Sequence, residues 1–239
     1  MDTPYVIVER DTVSSTQDLA AEEFGRRGAP VLVVAAAQES GRGRGGRPWW
    51  NADRAVAASF AFAPPWSVDD WPLLPLVAAL AARDAIAATT GVQLSLKWPN
   101  DLMVDELKVG GILVEGTDHR VAVGMGLDLW WRETPEGAGA LFGDDPGPDV
   151  GREIAVRWVD RVLQRLARPA RDWGHDEYRS VCVTVGREVE WEDGRGRAVD
   201  IAPGGGLVIE TADGLVEVMA GDVRVRPAGT MGDREEGRS

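Results

Sequence analysis

The chain has 239 residues, 44% hydrophobic and 27% charged, and a formal net charge of −13. That length holds one sizeable domain and a small appended module, and so acidic a balance argues against nucleic acid as a partner, because phosphate backbones are bound by clustered Lys and Arg. Cys182 is the lone cysteine, and His119 and His175 are the two histidines, which excludes an internal disulfide, a cysteine-built metal site and a multi-histidine centre.

No apolar run approaches the roughly 18–20 residues that span a bilayer. The opening Met1-Asp-Thr-Pro-Tyr-Val has neither the basic stretch nor the apolar core of a signal peptide. A cytoplasmic protein with no membrane partner is the expectation.

Residues 5–9 read as an opening strand. Ser14-Ser-Thr-Gln-Asp18 follows, with Ser15 and Asp18 at capping-box spacing, and predicts a helix through Leu19, Ala20 and Phe24. It should stop near Arg26-Arg27-Gly28, where cations and a glycine suit a C-terminus. Residues 31–37 are a continuous apolar run of buried-strand length, and 55–63 form another strand. A Leu/Ala-rich helix is expected over 72–88, after Asp69, Asp70 and Pro72 and before Gly91.

Strands follow at 94–96, 101–104, 109–114 and 121–129, with a turn around Asp105-Glu106. Residues 133–150, rich in Gly, Pro and Asp, read as a loop. Ile154, Ala155, Trp158, Val162 and Leu166 share one face of a helix over 151–166, and a second helical piece surrounds 172–179. From Gly186 the pattern becomes short strands with Gly-rich turns: 187–191, 197–202, 206–210, 214–219 and 222–226. The predicted architecture is α+β: a mixed sheet with packed helices over 1–183, then a small C-terminal β-barrel over 184–228. Residues 229–239, polar and charged, are expected to be a disordered tail.

Against the acidic background one basic segment stands out: Gly41-Arg-Gly-Arg-Gly-Gly-Arg47, followed by Pro48, Trp49 and Trp50. Its glycines let a backbone approach a ligand closely and present N–H groups to an anion. Arg42, Arg44 and Arg47 add forked donors suited to phosphate or carboxylate. A solvated loop or an RNA-binding Gly/Arg segment is the plainer reading of such a run. The segment is single and unrepeated, however, and lies between two apolar strands with Gln38 just ahead of it.

A second unusual stretch is Lys97-Trp-Pro-Asn-Asp101, followed by Lys108-Val-Gly-Gly-Ile112. Lys108 stands at a turn-to-strand junction before two glycines, which admit a ligand against the backbone. Asn100 and Asp101 would otherwise form a simple turn after Pro99. A third stretch, Val123-Gly-Met-Gly-Leu-Asp128, again places two glycines and a polar residue along a strand. No Walker-type loop and no Gly-x-Ser-x-Gly elbow is present.

Taken in this order, these segments resemble the catalytic domain of the biotin protein ligases over nearly the whole chain. Every fixed position of the family's Gly-Arg-Gly-Arg-x-Gly-Arg-x-Trp loop is met, by Gly41, Arg42, Gly43, Arg44, Gly46, Arg47 and Trp49. The resemblance implies a class II synthetase-like fold with a C-terminal SH3-like barrel. It assigns biotin to Ser15, Thr16, Gln17, Gln38, Gly41, Arg42, Gly43, Arg44, Lys108, Gly110 and Gly111. Gln17 stands where many members have Asn. Ser15 and Thr16 also serve as ordinary helix capping. ATP is assigned to Arg44, Arg47, Trp49, Lys97, Asn100, Lys108 and Asp128, with Asp101 on Mg²⁺. Asp128 departs from the family's usual Asn, adding negative charge near phosphates.

The implied reaction activates biotin with Mg·ATP as biotinyl-5′-AMP, then transfers it to a lysine of a biotin carboxyl carrier domain. Lys108, Arg44 and Arg47 stabilise the charge at phosphorus. The 41–50 segment is expected to order around its ligand and keep water from the anhydride. The chain opens on the catalytic domain's first strand, so the N-terminal winged helix of some members is not expected; a monomer or a homodimer is. The rivals are a lipoate or octanoate transferase of the same fold, whose families lack the Gly/Arg loop, and a non-catalytic biotin- or adenylate-binding protein.

Overall fold

A computed structural model describes residues 3–117, 119–219 and 224–225. The first strand and helix follow the capping signal. β1 spans Val6–Val13 and α1 spans Thr16–Arg27; Ser15 caps the helix by accepting the Asp18 N–H, and left-handed Gly28 closes it. The strand pattern continues with β2 (Val31–Gln38) and β3 (Arg54–Phe62). A short 3₁₀ stretch at Val68–Leu73 leads into α2 (Leu74–Thr90), then β4 (Ser95–Lys97), β5 (Asp101–Val104), β6 (Leu107–Thr117) and β7 (Arg120–Trp130). A loop with little regular structure follows, as its Gly/Pro content requires. α3 (Asp149–Leu166) and α4 (His175–Val181) complete this part.

The seven strands form one sheet in the order β1-β2-β3-β7-β6-β5-β4. β1 and β2 pair in parallel and the remaining neighbours antiparallel, so the sheet is mixed, as expected. Period-2 alternation splits it into two faces. On β7, Val121, Val123, Met125, Leu127 and Leu129 join the main core beneath α2 and α3. The intervening residue Ala122 packs with Ala61, Val31, Val33 and Ala20 under α1. The same alternation puts Gly124, Gly126 and Asp128 on the α1 face, past the start of that helix.

The stretch Val68–Thr90 has the length and mean hydropathy of a membrane span, although its uninterrupted apolar run ends at Arg83 and Asp84 and stays short of one, as expected. Its apolar residues, from Leu73 through Ile86, are buried in the core between the sheet and α3. That is the pattern of a core helix, whose two charged residues find partners at its edge: Arg83 donates to the Leu94 carbonyl and Asp84 pairs with Arg165.

Five further strands, β8 (Glu188–Trp191), β9 (Gly194–Ile201), β10 (Leu207–Thr211), β11 (Gly214–Val218) and β12 (Arg224–Val225), form a second, antiparallel sheet in the order β11-β10-β9-β8-β12. It is tied to the first by buried polar contacts. Trp98 accepts no freedom here: its backbone N–H donates to Thr184 Oγ1 at 2.9 Å and its indole N–H to the Gly205 carbonyl at 2.9 Å. Trp173 donates to the Pro203 carbonyl at 2.9 Å. The tail expected over 229–239 lies outside the described residues.

Candidate active site

The site starts where α1 begins. The Thr16 backbone N–H donates to Gln38 Oε1 at 2.8 Å and its hydroxyl to the same oxygen at 3.0 Å. Ser59, fully buried on β3, lies 2.8 Å from that hydroxyl. Asn51 fixes Gln38 from behind: its Nδ2 donates to the Gln38 carbonyl at 2.7 Å and its Oδ1 accepts the Gln38 N–H at 3.4 Å. With Oε1 committed to Thr16, the Gln38 amide nitrogen is left for the cavity side.

Gln17 has the opposite polarity. Its Nε2 donates to the Ala122 carbonyl at 3.1 Å and to Glu115 Oε2 at 3.2 Å. Its Oε1 is buried without a hydrogen-bond partner. A Cβ at Gly124 would stand 2.8 Å from that oxygen, so glycine is what leaves room above it.

The 41–47 segment is a turn folded on itself. Gly43 donates to the Arg47 carbonyl at 2.7 Å and Trp49 to the Gly41 carbonyl at 2.8 Å. Gly45 and Gly46 have positive φ, 65° and 72°, which side chains other than glycine rarely adopt. Arg42 reaches back to α1, donating to both Asp18 oxygens at 2.9 and 2.7 Å. Arg44 reaches forward to Asn100 Oδ1 at 3.4 Å. Asn100 is itself locked, its Nδ2 donating to the Ile112 carbonyl at 2.7 Å.

The far wall is cationic. Lys108 Nζ lies 2.5 Å from Asp101 Oδ1, and Lys97 Nζ 3.8 Å from Asp101 Oδ2. Lys108 also stands 5.9 Å from the centroid of the Trp49 ring. That indole lies on Gly126, where a Cβ would be 2.7 Å from Trp49 Cε2. The Trp49 Nε1 is buried and unpaired.

These residues enclose a cavity of about 490 Å³. Its lining brings together Ser15, Thr16, Gln17, Gln38, Arg42, Gly43, Arg44, Arg47, Trp49, Lys97, Asn100, Asp101, Lys108 and Gly111, all of them sequence candidates. Five cations and one carboxylate, Asp101, appear among the described lining residues, a strong local field for anions on a chain of net charge −13.

Three candidates do not line it. Gly41 serves from behind, since a Cβ there would press within 3.0 Å of Gln38 Nε2 and 3.2 Å of Trp49 Cβ. Gly110 sits where β6 meets β7, a Cβ there falling 2.6 Å from the Gly126 carbonyl. Asp128 shares its face with Gly126 but is 8% exposed, beside the Ala52 backbone N–H, with Oδ1 unpaired. Burial pushes its carboxyl up to about 7, opposed by the Ala52 N–H and the Lys108 charge.

Sequence reading did not single out Asn51, Ser59 or Glu115, nor Val225 of the second sheet, which also lines the cavity. Gly124 and Gly126 were signalled by their spacing along β7. The others carry no local signal, because their partners are distant in sequence.

Residues 9–128 match the biotin/lipoate A/B protein ligase family, and residues 184–226 match the biotin protein ligase C-terminal domain. The biotin–[acetyl-CoA-carboxylase] ligase of Mycobacterium tuberculosis is 31% identical over 89% of this chain and 87% of its own length. The bifunctional ligase/repressor BirA of Bacillus subtilis is 27% identical over 92% of this chain and 74% of its own length. Among solved structures, the biotin protein ligase of Aquifex aeolicus in complex with biotin and ATP superposes with a TM-score of 0.76 at 28% identity, covering 92% of this chain and 98% of that one.

Proposed function

The chain belongs to the biotin/lipoate A/B protein ligase family and is a biotin ligase, and from that premise we propose that it makes biotinyl-5′-AMP and passes the biotinyl group to a lysine of a biotin carboxyl carrier domain. The observation that carries this reading is one cavity with a neutral amide-and-hydroxyl end at Thr16, Gln17 and Gln38 and a cationic end at Arg44, Arg47, Lys97 and Lys108. A ureido ring offers N–H donors and a carbonyl acceptor. Gln17 Oε1 and the Gln38 amide nitrogen complement those groups, and the valeryl carboxylate then extends toward the cations.

In the first step a biotin carboxylate oxygen attacks the α-phosphorus of ATP, and the bond to the β-phosphate oxygen breaks to release pyrophosphate. Arg44, Arg47 and Lys108 bring two anions together and stabilise the charge at phosphorus. Trp49 and Asn100 flank the nucleotide, while Asp128, buried off the cavity lining, makes no direct contact with it. In the second step the carrier lysine's neutral amine attacks the anhydride carbonyl, and AMP leaves as the nitrogen loses a proton. No protein nucleophile is needed.

Mg²⁺ suits a site with one carboxylate completed by substrate phosphates and water. Asp101 is the one carboxylate on the described lining, but Lys108 and Lys97 already occupy its two oxygens. It would take the ion only once those ammonium groups turn to the substrate anions; no three metal-ligating side chains gather among the described residues. Bound there, the ion would supply countercharge to the phosphates.

Pyrophosphate release in the presence of Mg·ATP tests the first step. It is expected with biotin and absent with lipoate or octanoate. Release with lipoate instead would move the chain to the other branch of its family, and biotin binding with no release would favour a non-catalytic role.

A further inference from the structure

We propose that Asp18 and Glu115 are positioning residues that fasten Arg42, and with it the Gly/Arg loop, to the cavity wall, and that Glu115 joins this fastening to Gln17. The inference rests on the reading that a ligand N–H meets Gln17.

On β6 the residues Gly111, Leu113 and Glu115 alternate onto the α1 face, and Glu115 pairs in register with Ala122 of β7. One oxygen, Glu115 Oε2, accepts from Gln17 Nε2 at 3.2 Å and from Arg42 Nη2 at 3.4 Å. The Ala122 carbonyl takes the other Gln17 amide hydrogen at 3.1 Å. Both hydrogens are thereby used outside the cavity, and the amide cannot flip without setting its oxygen against two acceptors. Gln17 Oε1 is held as a buried, unpaired acceptor at the wall that Gln17 and Gly124 line.

The loop end of the linkage is stronger. Arg42 makes a two-pronged contact with Asp18 at 2.9 and 2.7 Å, and the guanidinium holds the Asp18 carboxyl below its ordinary range. Arg42 also bridges to Pro48, and Gly43 bonds to Arg47, so the turn moves as one piece. Whatever holds Arg42 holds the loop. A donor arriving at Gln17 Oε1 polarises the amide and strengthens its bond to Glu115, the carboxylate that also receives Arg42.

The test uses Asp18→Asn, Glu115→Gln and the double variant in the full chain. Trypsin reads the loop directly, because Arg42 and Arg44 lie within it, and cleavage there is mapped by mass spectrometry against cleavage after Arg152 in α3. Loop cleavage without ligand should rise about fivefold in the double variant, the scale of a lost two-pronged surface ion pair. Cleavage after Arg152 and the Tm should stay at wild-type values. A fivefold rise in cleavage means that the closed loop still predominates, so the biotin Kd should weaken by no more than about twofold, as the closed fraction falls, with kcat at saturating biotin held within about twofold.

Asp18→Asn alone should move the same quantities in the same direction, which keeps the test decisive if the double variant folds poorly. Wild-type loop cleavage and biotin affinity in the folded variants would overturn the proposal. Failure of the wild-type protein itself to bind biotin would instead overturn the functional reading, while the cleavage arm still reports on the latch.

Discussion

Lys108 and Asp101 form a close ion pair on the cationic wall of the site, Nζ to Oδ1 at 2.5 Å, on adjacent strands whose turn brings the lysine over Gly111. Lys97 approaches the other oxygen of the same carboxylate at 3.8 Å. Asp101 thus holds two ammonium groups at the end of the cavity where the two anionic substrates would meet.

Lys108→Ala is expected to damage the chemical step far more than nucleotide binding. Removing a cation that acts where charge develops costs on the order of 100-fold in rate, while the ATP Kd should change by about fivefold or less, since Arg44, Arg47 and Lys97 remain. Single-turnover formation of the adenylate and calorimetric ATP binding separate the two. Equal losses in both would show that Lys108 serves ground-state binding only.

Gly124→Ala tests the crowded floor. The new methyl would sit 2.8 Å from Gln17 Oε1 and 3.3 Å from Ser59 Oγ. Overpacking of this kind costs roughly 1–3 kcal/mol, and displacing the Gln17 amide should raise the KM for biotin at least about tenfold with little change in the KM for ATP. Steady-state kinetics with each substrate varied would check the split; an unchanged KM for biotin would place the ureido ring elsewhere.

Asn51→Ala removes both tethers on the Gln38 backbone without touching the cavity lining. Loss of a half-buried side-chain to backbone bond costs about 1 kcal/mol, so the biotin Kd should weaken about fivefold while the ATP Kd holds. Loss of both affinities together would mean that Asn51 supports the fold at large.

Asp128 gives a pH signature. Its folded carboxyl is raised to about 7 from an ordinary 3.8. Below about pH 4 both folded and unfolded chains are protonated and the site imposes no penalty. Between pH 4 and 7 the unfolded chain loses its proton while the folded one retains it, so stability falls as pH rises, by up to roughly 1.4 kcal/mol per pH unit. Asp128→Asn should therefore gain stability relative to the parent between pH 5 and 8, read as the difference in Tm. Parallel pH profiles for the two proteins would contradict a buried, neutral Asp128.

The fold was legible wherever local pattern and tertiary need agree. The Ser15 cap, the Gly28 stop, the alternating β7 residues and the Ile154–Leu166 stripe each declare an element by their spacing. The site was legible at the residues whose type is unusual for its surroundings: three arginines among glycines, and lysines beside paired glycines. Ser59 lies in an unremarkable Ala/Phe strand, and Asn51 in a loop beside tryptophans. Their roles depend on Thr16 and Gln38, brought to them by the sheet. Asp18 reads as a helix cap, and nothing near it in sequence announces Arg42.

The most direct measurement is intact mass of an apo biotin carboxyl carrier domain after incubation with the protein, biotin and Mg·ATP. The account predicts a single biotinyl adduct on the carrier lysine that requires all three components and disappears in Lys108→Ala on the same timescale. Biotin and ATP binding with no adduct, and no pyrophosphate released, would contradict it.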